Sequence, residues 1–272
     1  MLTYTLYSEA GGVGKSTLAG NLAVAHRRHG LDVLLIDLDP QDASVSALFG
    51  VDDERGEDID SLAKHMVSED YADGPVRDLI RTAEGVDIIP SHNTLEQLPE
   101  WLIRAKIRDG DFEPAEQLRD VLGRNDVHQD YDVILIDPPA TSGQHVYNAV
   151  FATRRLVVPL ELSGKGDRSI EGLDDIVAGL EDQLDINVGA EAVVPIGLSN
   201  LSAHRRYLDE IQASRYDVPV VIRDRESLFG GCWDQECSAF KFVEEHRSPQ
   251  RDHEMETVEK LDDLAARLEA VA

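Results

Sequence analysis

"YSEAGGVGKSTLAGNLA", residues 7–23, places Gly11, Gly12 and Gly14 just ahead of Lys15, Ser16 and Thr17, with small and apolar residues at helical spacing behind them. The run in front of it, TYTLY at 3–7, reads as a strand. A strand, a glycine turn and a helix in that order make a phosphate cradle. Residues without side chains let backbone N–H groups turn inward, and the helix N-terminus adds unpaired donors and partial positive charge. Gly11, Gly12, Val13 and Gly14 form the turn. Lys15 is then placed to reach the terminal phosphates, Ser16 to offer its hydroxyl to Mg2+, and Thr17 to lie on the α-phosphate side. The general pattern G-x-x-x-x-G-K-[ST] is not strictly met, because its first position is Glu9.

Further strand-like runs follow: DVLLIDL (32–38), VDIIP (86–90), DVILID (132–137), RLVVPLE (155–161), AVVPIGL (192–198) and VPVVI (218–222). Most are continuous Val/Ile/Leu runs, the pattern of strands covered on both faces. Helix-period segments long enough for crossovers separate them. The expected fold is α/β: one P-loop NTPase domain over 1–272, with a mainly parallel twisted sheet and helices on both faces. Residues 51–125 are expected to be helical decoration around one strand, with one or two short helices in 51–85. The C-terminal 252–272 is expected to be a helix packed on the domain through Met255, Val258, Leu261, Leu264, Leu268 and Val271.

Two strands end in acids. LLIDLDPQ carries Asp37 and Asp39, and VILIDPPATSG carries Asp137. In a parallel sheet these ends share one edge, where ligands bind. An acid closing an apolar strand beside a phosphate turn suits a hydrated Mg2+.

Acids outnumber bases 53 to 26, for a net charge of −27, yet hydrophobic residues make up 42% of the chain. That is too apolar for a disordered acidic segment. The acids are spread evenly and only 6 of the bases are lysines. This is the composition expected of a salt-rich cytoplasm, where screening over about 3 Å at 1 M tolerates such self-repulsion. No run reaches the roughly 18 apolar residues of a membrane span, and no signal peptide is evident. Cys232 and Cys237 read as reduced, structural thiols away from the phosphate edge.

Taken in order and spacing, AGGVGKST, VLLIDLDPQDAS and YDVILIDPPATSG resemble the ParA/MinD family of deviant Walker ATPases. GVDIIPSHNTLEQL, RLVVPLELSGKGDRSIEGL and VVIRDRESLFGG resemble its ParA branch. The likeness is clear in 1–50, 130–175 and 217–245 and weak in 51–85. It implies ATP and Mg2+ as cofactors, slow hydrolysis stimulated by a ParB-like or other adaptor protein, an ATP-sandwich homodimer, non-specific DNA binding, and movement of a plasmid, chromosome or other cargo. By this resemblance Asp39 orients the attacking water, Asp137 holds Mg2+ through water, and Asp37 supports the metal shell. Arg223, Asp224 and Asn200 fall where the family lines its adenine pocket.

One residue departs from the family. Its signature lysine, which crosses the dimer interface to the other subunit's ATP, is replaced here by Ala10. Lys165, between Gly164 and Gly166 past the fifth apolar strand, is the candidate substitute, and Arg168 is the next. Some ParA-type ATPases that position carboxysomes resemble this arrangement. For DNA contact the basic candidates are His204-Arg205-Arg206, Arg215, Arg247 and Arg251. Two alternatives stand beside this reading: a nucleotide-gated regulatory module with little turnover, and a MinD-like membrane-cycling ATPase. The acidic outer face of the C-terminal helix disfavours the second.

Overall fold

The computed structural model describes residues 1–53, 55–56, 59–161, 170–199 and 202–271. In chain order the elements are β1 (Leu2–Leu6), α1 (Lys15–Arg28), β2 (Val33–Asp37), α2 (Val45–Leu48), α3 (Leu62–Val67), β3 (Arg81–Ala83), β4 (Val86–Ile89), α4 (Leu98–Arg108) and α5 (Gln117–Arg124). They continue with β5 (Val133–Asp137), α6 (Gln144–Thr153), β6 (Arg155–Glu161), α7 (Ile170–Leu184), β7 (Gly189–Leu198), α8 (Ser202–Gln212), β8 (Ile222–Arg223), α9 (Glu226–Asp234), α10 (Ala239–Lys241) and α11 (Asp252–Glu269). The strands form one eight-stranded sheet in the order β3-β4-β2-β5-β1-β6-β7-β8. Every pairing is parallel except β3 with β4.

Continuous apolar strands serve two layers at once, because successive side chains point to opposite faces. Val33, Leu35, Val133 and Leu135 pack with Leu18, Leu22 and the C-terminal Leu261, Leu264 and Leu268. Their neighbours Leu34, Ile36, Ile134 and Ile136 pack on the other face with Leu98, Leu102, Leu118 and Val121. Helix α1 is buried almost all round, since α11 covers the side turned away from the sheet. A polar chain reinforces that contact: Tyr4 Oη lies 2.9 Å from His26 Nε2, and His26 Nδ1 lies 2.6 Å from Glu269 Oε1.

The single α/β architecture agrees with the sequence reading, with two corrections. Residues 51–125 surround two strands, not one. Within 51–85 only Leu62–Val67 is α-helical, two 3-10 turns follow, and Arg81–Ala83 forms an antiparallel edge strand. Its hairpin turn is Glu84-Gly85, both left-handed at φ 49° and 79°, as a two-residue turn between twisted strands requires. The stretch PVRDLIRTA has apolar spacing that mimics a helix and conceals this strand. The run 218–222 yields a ladder only at Ile222–Arg223; Pro219 has no N–H to donate there. The C-terminal helix packs as expected, although Val271 lies past its end and is exposed. Among the described residues, no helix is long and apolar enough to cross a membrane.

Candidate functional site

The turn between β1 and α1 sits at the C-terminal edge of the sheet centre. Tyr7 anchors its start: its N–H donates to Val157 O at 3.1 Å, and its hydroxyl lies 3.1 Å from Ser142 Oγ. Gly12 and Gly14 are left-handed, at φ 79° and 82°, a conformation that side chains oppose. A β-carbon on Gly11, Gly12 or Gly14 meets no protein atom within 4 Å. Internal packing therefore does not require these glycines; the backbone path and an open concavity do. Gly14 caps α1 without any side-chain hydrogen bond, and the first turn carries no acid. The leading amides of α1 are left for an external anion.

Facing them are the strand-end acids. Asp37 and Asp137 are direct neighbours across β2 and β5 and are fully buried. Lys15 Nζ reaches Asp137 Oδ1 at 2.6 Å and is itself buried. Asp37 accepts from Asp39 N at 3.0 Å, from Ser46 N at 2.8 Å and from Ser46 Oγ at 2.5 Å. Burial, followed by the Asp137 charge, pushes the Asp37 carboxyl above its ordinary range. Asp39 is nearly buried, with Oδ1 accepting from Gln41 N at 3.0 Å. Burial raises its carboxyl too, against the pull of Lys15. Asp137 Oδ2 has no hydrogen-bond partner although it is buried. A buried, unpartnered carboxylate oxygen beside an open ring of amides fits a cation that a bound phosphate brings with it. Among the described residues no three His, Cys, Asp or Glu side chains converge as a metal cage. A metal here takes most of its ligands from phosphate and water, and Ser16, half-buried in the first turn of α1, supplies the hydroxyl.

Several residues at this edge escaped the sequence reading. Ser46 Oγ, besides bonding Asp37, accepts from Ser91 N at 2.8 Å, and Ser91 Oγ donates to Asp39 O at 2.5 Å. Arg55 completes the tie, donating to Pro40 O at 2.7 Å and pairing with Asp42 at 3.1 Å. His145 is buried with Nε2 2.7 Å from Leu95 O, and burial lowers its pKa. Trp233 of α9 donates to Thr17 Oγ1 at 3.0 Å. No local pattern announces these long-range contacts. Ser46→Ala leaves the Ser91 N–H without its acceptor and removes one donor from buried Asp37. A loss of about 1–3 kcal/mol is expected in denaturant unfolding of the ligand-free protein; an unchanged midpoint would mean that the tie carries no load.

The other expected positions divide. Arg223 and Asp224 are exposed at the end of β8, on the ligand edge but three strands from β1. Lys165, Arg168 and Asn200 lie outside the described residues. Ala10 N donates to Ser8 Oγ at 3.4 Å. Cys232 and Cys237 are buried, and burial pushes the Cys232 thiol up to about 12. The Trp233–Thr17 contact nevertheless brings α9 nearer the phosphate turn than the sequence implied. Of the basic candidates, Arg247 is corrected: both its outer nitrogens and Arg251 hold buried Glu254, at 2.8–3.4 Å. Arg215 pairs with Asp174 at 2.7 Å. Arg205 and Arg206 remain exposed on α8.

The chain matches the AAA domain family (AAA_31) over residues 1–187. It is 31% identical over 185 residues to the chromosome-partitioning ATPase Soj of Thermus thermophilus, covering 66% of this chain and 64% of that protein. It is 29% identical over 189 residues to the sporulation initiation inhibitor protein Soj of Bacillus subtilis, covering 69% of each. An uncharacterized protein of Methanocaldococcus jannaschii is 29% identical over 60% of each chain. The chain thus spans less than two thirds of the length of several of these relatives. Among solved structures, apo McdA of Cyanthece superposes with a TM-score of 0.74 at 22% identity, over 96% of this chain and 99% of that one. MinD of Pyrococcus horikoshii, complexed with Mg-ADP, gives 0.70 at 21% identity over 96% and 94%. At these identities the structures establish the fold alone.

Proposed function

The chain belongs to the AAA domain family, and from that membership together with the Lys15–Asp137 arrangement we propose that it binds and hydrolyses ATP with Mg2+ as a ParA-like positioning ATPase. The observation that carries this reading is one buried lysine, held 2.6 Å from a strand-end aspartate directly behind a glycine turn whose amides are free. A triphosphate offers Lys15 a stronger partner than Asp137 does. Moving to it, Lys15 frees both oxygens of Asp137 to face the metal's water shell. Ser16 contributes its hydroxyl, Thr17 lies on the α-phosphate side, and Asp37 fixes the shell through its own bonded network. Bound Mg2+ supplies charge neutralisation at the phosphates. Asp39, held by Gln41 N and by Ser91 through its main chain, orients the attacking water. Arg223, Asp224 and Asn200 serve the base.

The proposal extends to an ATP-dependent homodimer, a stimulating adaptor protein, and non-specific DNA contact through Arg205 and Arg206, at the high salt its acidic coat implies. Lys165, or Arg168 after it, supplies the interface cation that Ala10 cannot. Steady-state hydrolysis above the background of Lys15→Ala tests the first part. Lys165→Ala is expected to abolish ATP-dependent dimerisation in light scattering while monomer nucleotide affinity stays near wild type. Dimerisation at wild-type levels would remove Lys165 from the account. Ala10 itself favours the second reading, a nucleotide-gated module with little turnover, which the same assay separates.

Trp233 offers an optical check. Of the two tryptophans, only Trp233 bonds Thr17. In Trp101→Phe protein its emission is expected to shift on addition of Mg-ATP, with no shift in Trp233→Phe. Unaltered Trp233 emission at saturating nucleotide would contradict the placement of Thr17 at the ligand.

A further inference from the structure

A second concavity lies on the far side of the α4 layer, and none of its residues belongs to the phosphate site. It encloses about 550 Å³ between α3, the 3-10 turn at Glu69–Tyr71 and α4, and is lined chiefly by Lys64, Asp70, Tyr71, Trp101, Arg104 and Arg108. Its volume falls within the range of sites that enclose a ligand, roughly 300–1,000 Å³.

Its chemistry runs against the rest of the molecule. Acids outnumber bases two to one along the chain, but this lining holds three cations and one carboxylate. Lys64 leans on Asp73 at 3.3 Å, and Arg104 pairs with Glu100 on the surface. Arg108 has only the Tyr71 hydroxyl, at 3.4 Å, and no carboxylate partner among the described residues. Beside the groove, α4 turns Leu98, Leu102 and Ala105 inward and leaves Ile103 and Ile107 outside, 53% and 80% exposed. With Tyr71 these make three of the six large apolar side chains exposed among the described residues. Scattered apolar residues need no explanation, but a cluster rimmed by charge marks a contact surface.

We propose that this groove docks an acidic segment of a partner protein, with a bulky apolar side chain seated against Trp101 and Tyr71 and flanking carboxylates on Arg104 and Arg108. Charge complementarity selects that occupant. On a strongly acidic molecule, an acidic segment is repelled everywhere except where cations gather, so the groove confers both attraction and specificity. A nucleic acid would use the cations but gain nothing from Ile103 and Ile107. A lipid surface is flat, and its phosphates would meet Asp70, Asp73 and Glu100 around the same rim. The inference is independent of the nucleotide reading, since it uses none of that site's residues.

The test is a selection from a displayed library of random 12-residue peptides, with the full-length nucleotide-free chain as bait and its R104E/I107S/R108E variant as counter-bait. Enriched peptides are expected to combine at least two Asp or Glu with Trp, Phe or Leu. As synthetic peptides they should bind the wild type at least tenfold more tightly than the variant in fluorescence anisotropy. Should the triple variant unfold, Ile107→Asp, at the most exposed of these positions, replaces it with the same expectation. Peptides that bind bait and variant equally would overturn the proposal, as would enrichment without acidic residues. So would a duplex oligonucleotide or phosphatidylglycerol vesicles whose binding, rather than that of the peptides, is lost in the variant. Mg-ATP affinity of the variant serves as the folding control and decides nothing about the groove.

Discussion

Lys15→Ala is expected to weaken Mg-ATP binding by roughly a hundredfold, because it removes a charge-assisted contact worth about 3 kcal/mol. The same substitution changes the ligand-free protein. Asp37 and Asp137 then stand side by side, buried, without the ammonium that reaches Asp137 at 2.6 Å. Breaking a buried pair by deleting one member costs about 3–5 kcal/mol when the survivor stays charged. A carboxylate escapes part of that cost by taking a proton. The sign follows from linkage. The Asp37 carboxyl already lies above its ordinary value in the folded protein, and without Lys15 the pair rises further. The native state then holds more protons than the unfolded chain, so stability falls as pH rises above the ordinary carboxylate range, about 4. Urea unfolding across pH should show Lys15→Ala close to wild type in acid and progressively weaker towards neutrality. A parallel pH dependence for both proteins would mean that Lys15 does not compensate the aspartates.

Asp39→Asn should lower turnover by about 10²–10⁴-fold, the usual worth of a positioned proton acceptor. Nucleotide affinity should change by no more than about threefold, since the lysine contact is untouched. Asparagine keeps an oxygen to accept from Gln41 N, the bond Asp39 makes at 3.0 Å, so the loop should hold its path. Single-turnover hydrolysis measured beside calorimetric affinity separates the two quantities. Turnover within tenfold of wild type would take Asp39 out of the chemistry, and a matching loss of affinity would make it a binding residue instead.

The parts legible in the sequence were those that a strand or turn dictates locally. VLLID and VILID each end on an aspartate, and a parallel sheet brings such ends to one edge whatever the strand order. That Asp37 and Asp137 are immediate neighbours was not legible. It depends on β5 inserting between β2 and β1, a choice made by packing across about a hundred residues. Ser46 and Ser91 escaped for the same reason, because an isolated serine carries no periodic signal. The edge strand Arg81–Ala83 was hidden by apolar spacing that fits a helix equally well. Arg247 and Arg251 looked like solvent-facing charge until buried Glu254 appeared between them. An arginine three residues ahead of a glutamate on a helix is a pairing the sequence did offer.

The nearly continuous burial of α1 has a functional consequence. A helix wedged between the sheet and α11 cannot shift easily, so its first turn presents fixed amides to a ligand. Only the Lys15 side chain has to move, from Asp137 to phosphate, and the strand-end acids are already in place.

The most direct test is calorimetric titration of Mg-ATP into the purified chain, beside Lys15→Ala. A saturable heat with one site per chain, weakened roughly a hundredfold by the substitution, is the predicted result. No saturable heat, or equal affinity in the two proteins, would contradict the grip of Lys15 on a bound triphosphate.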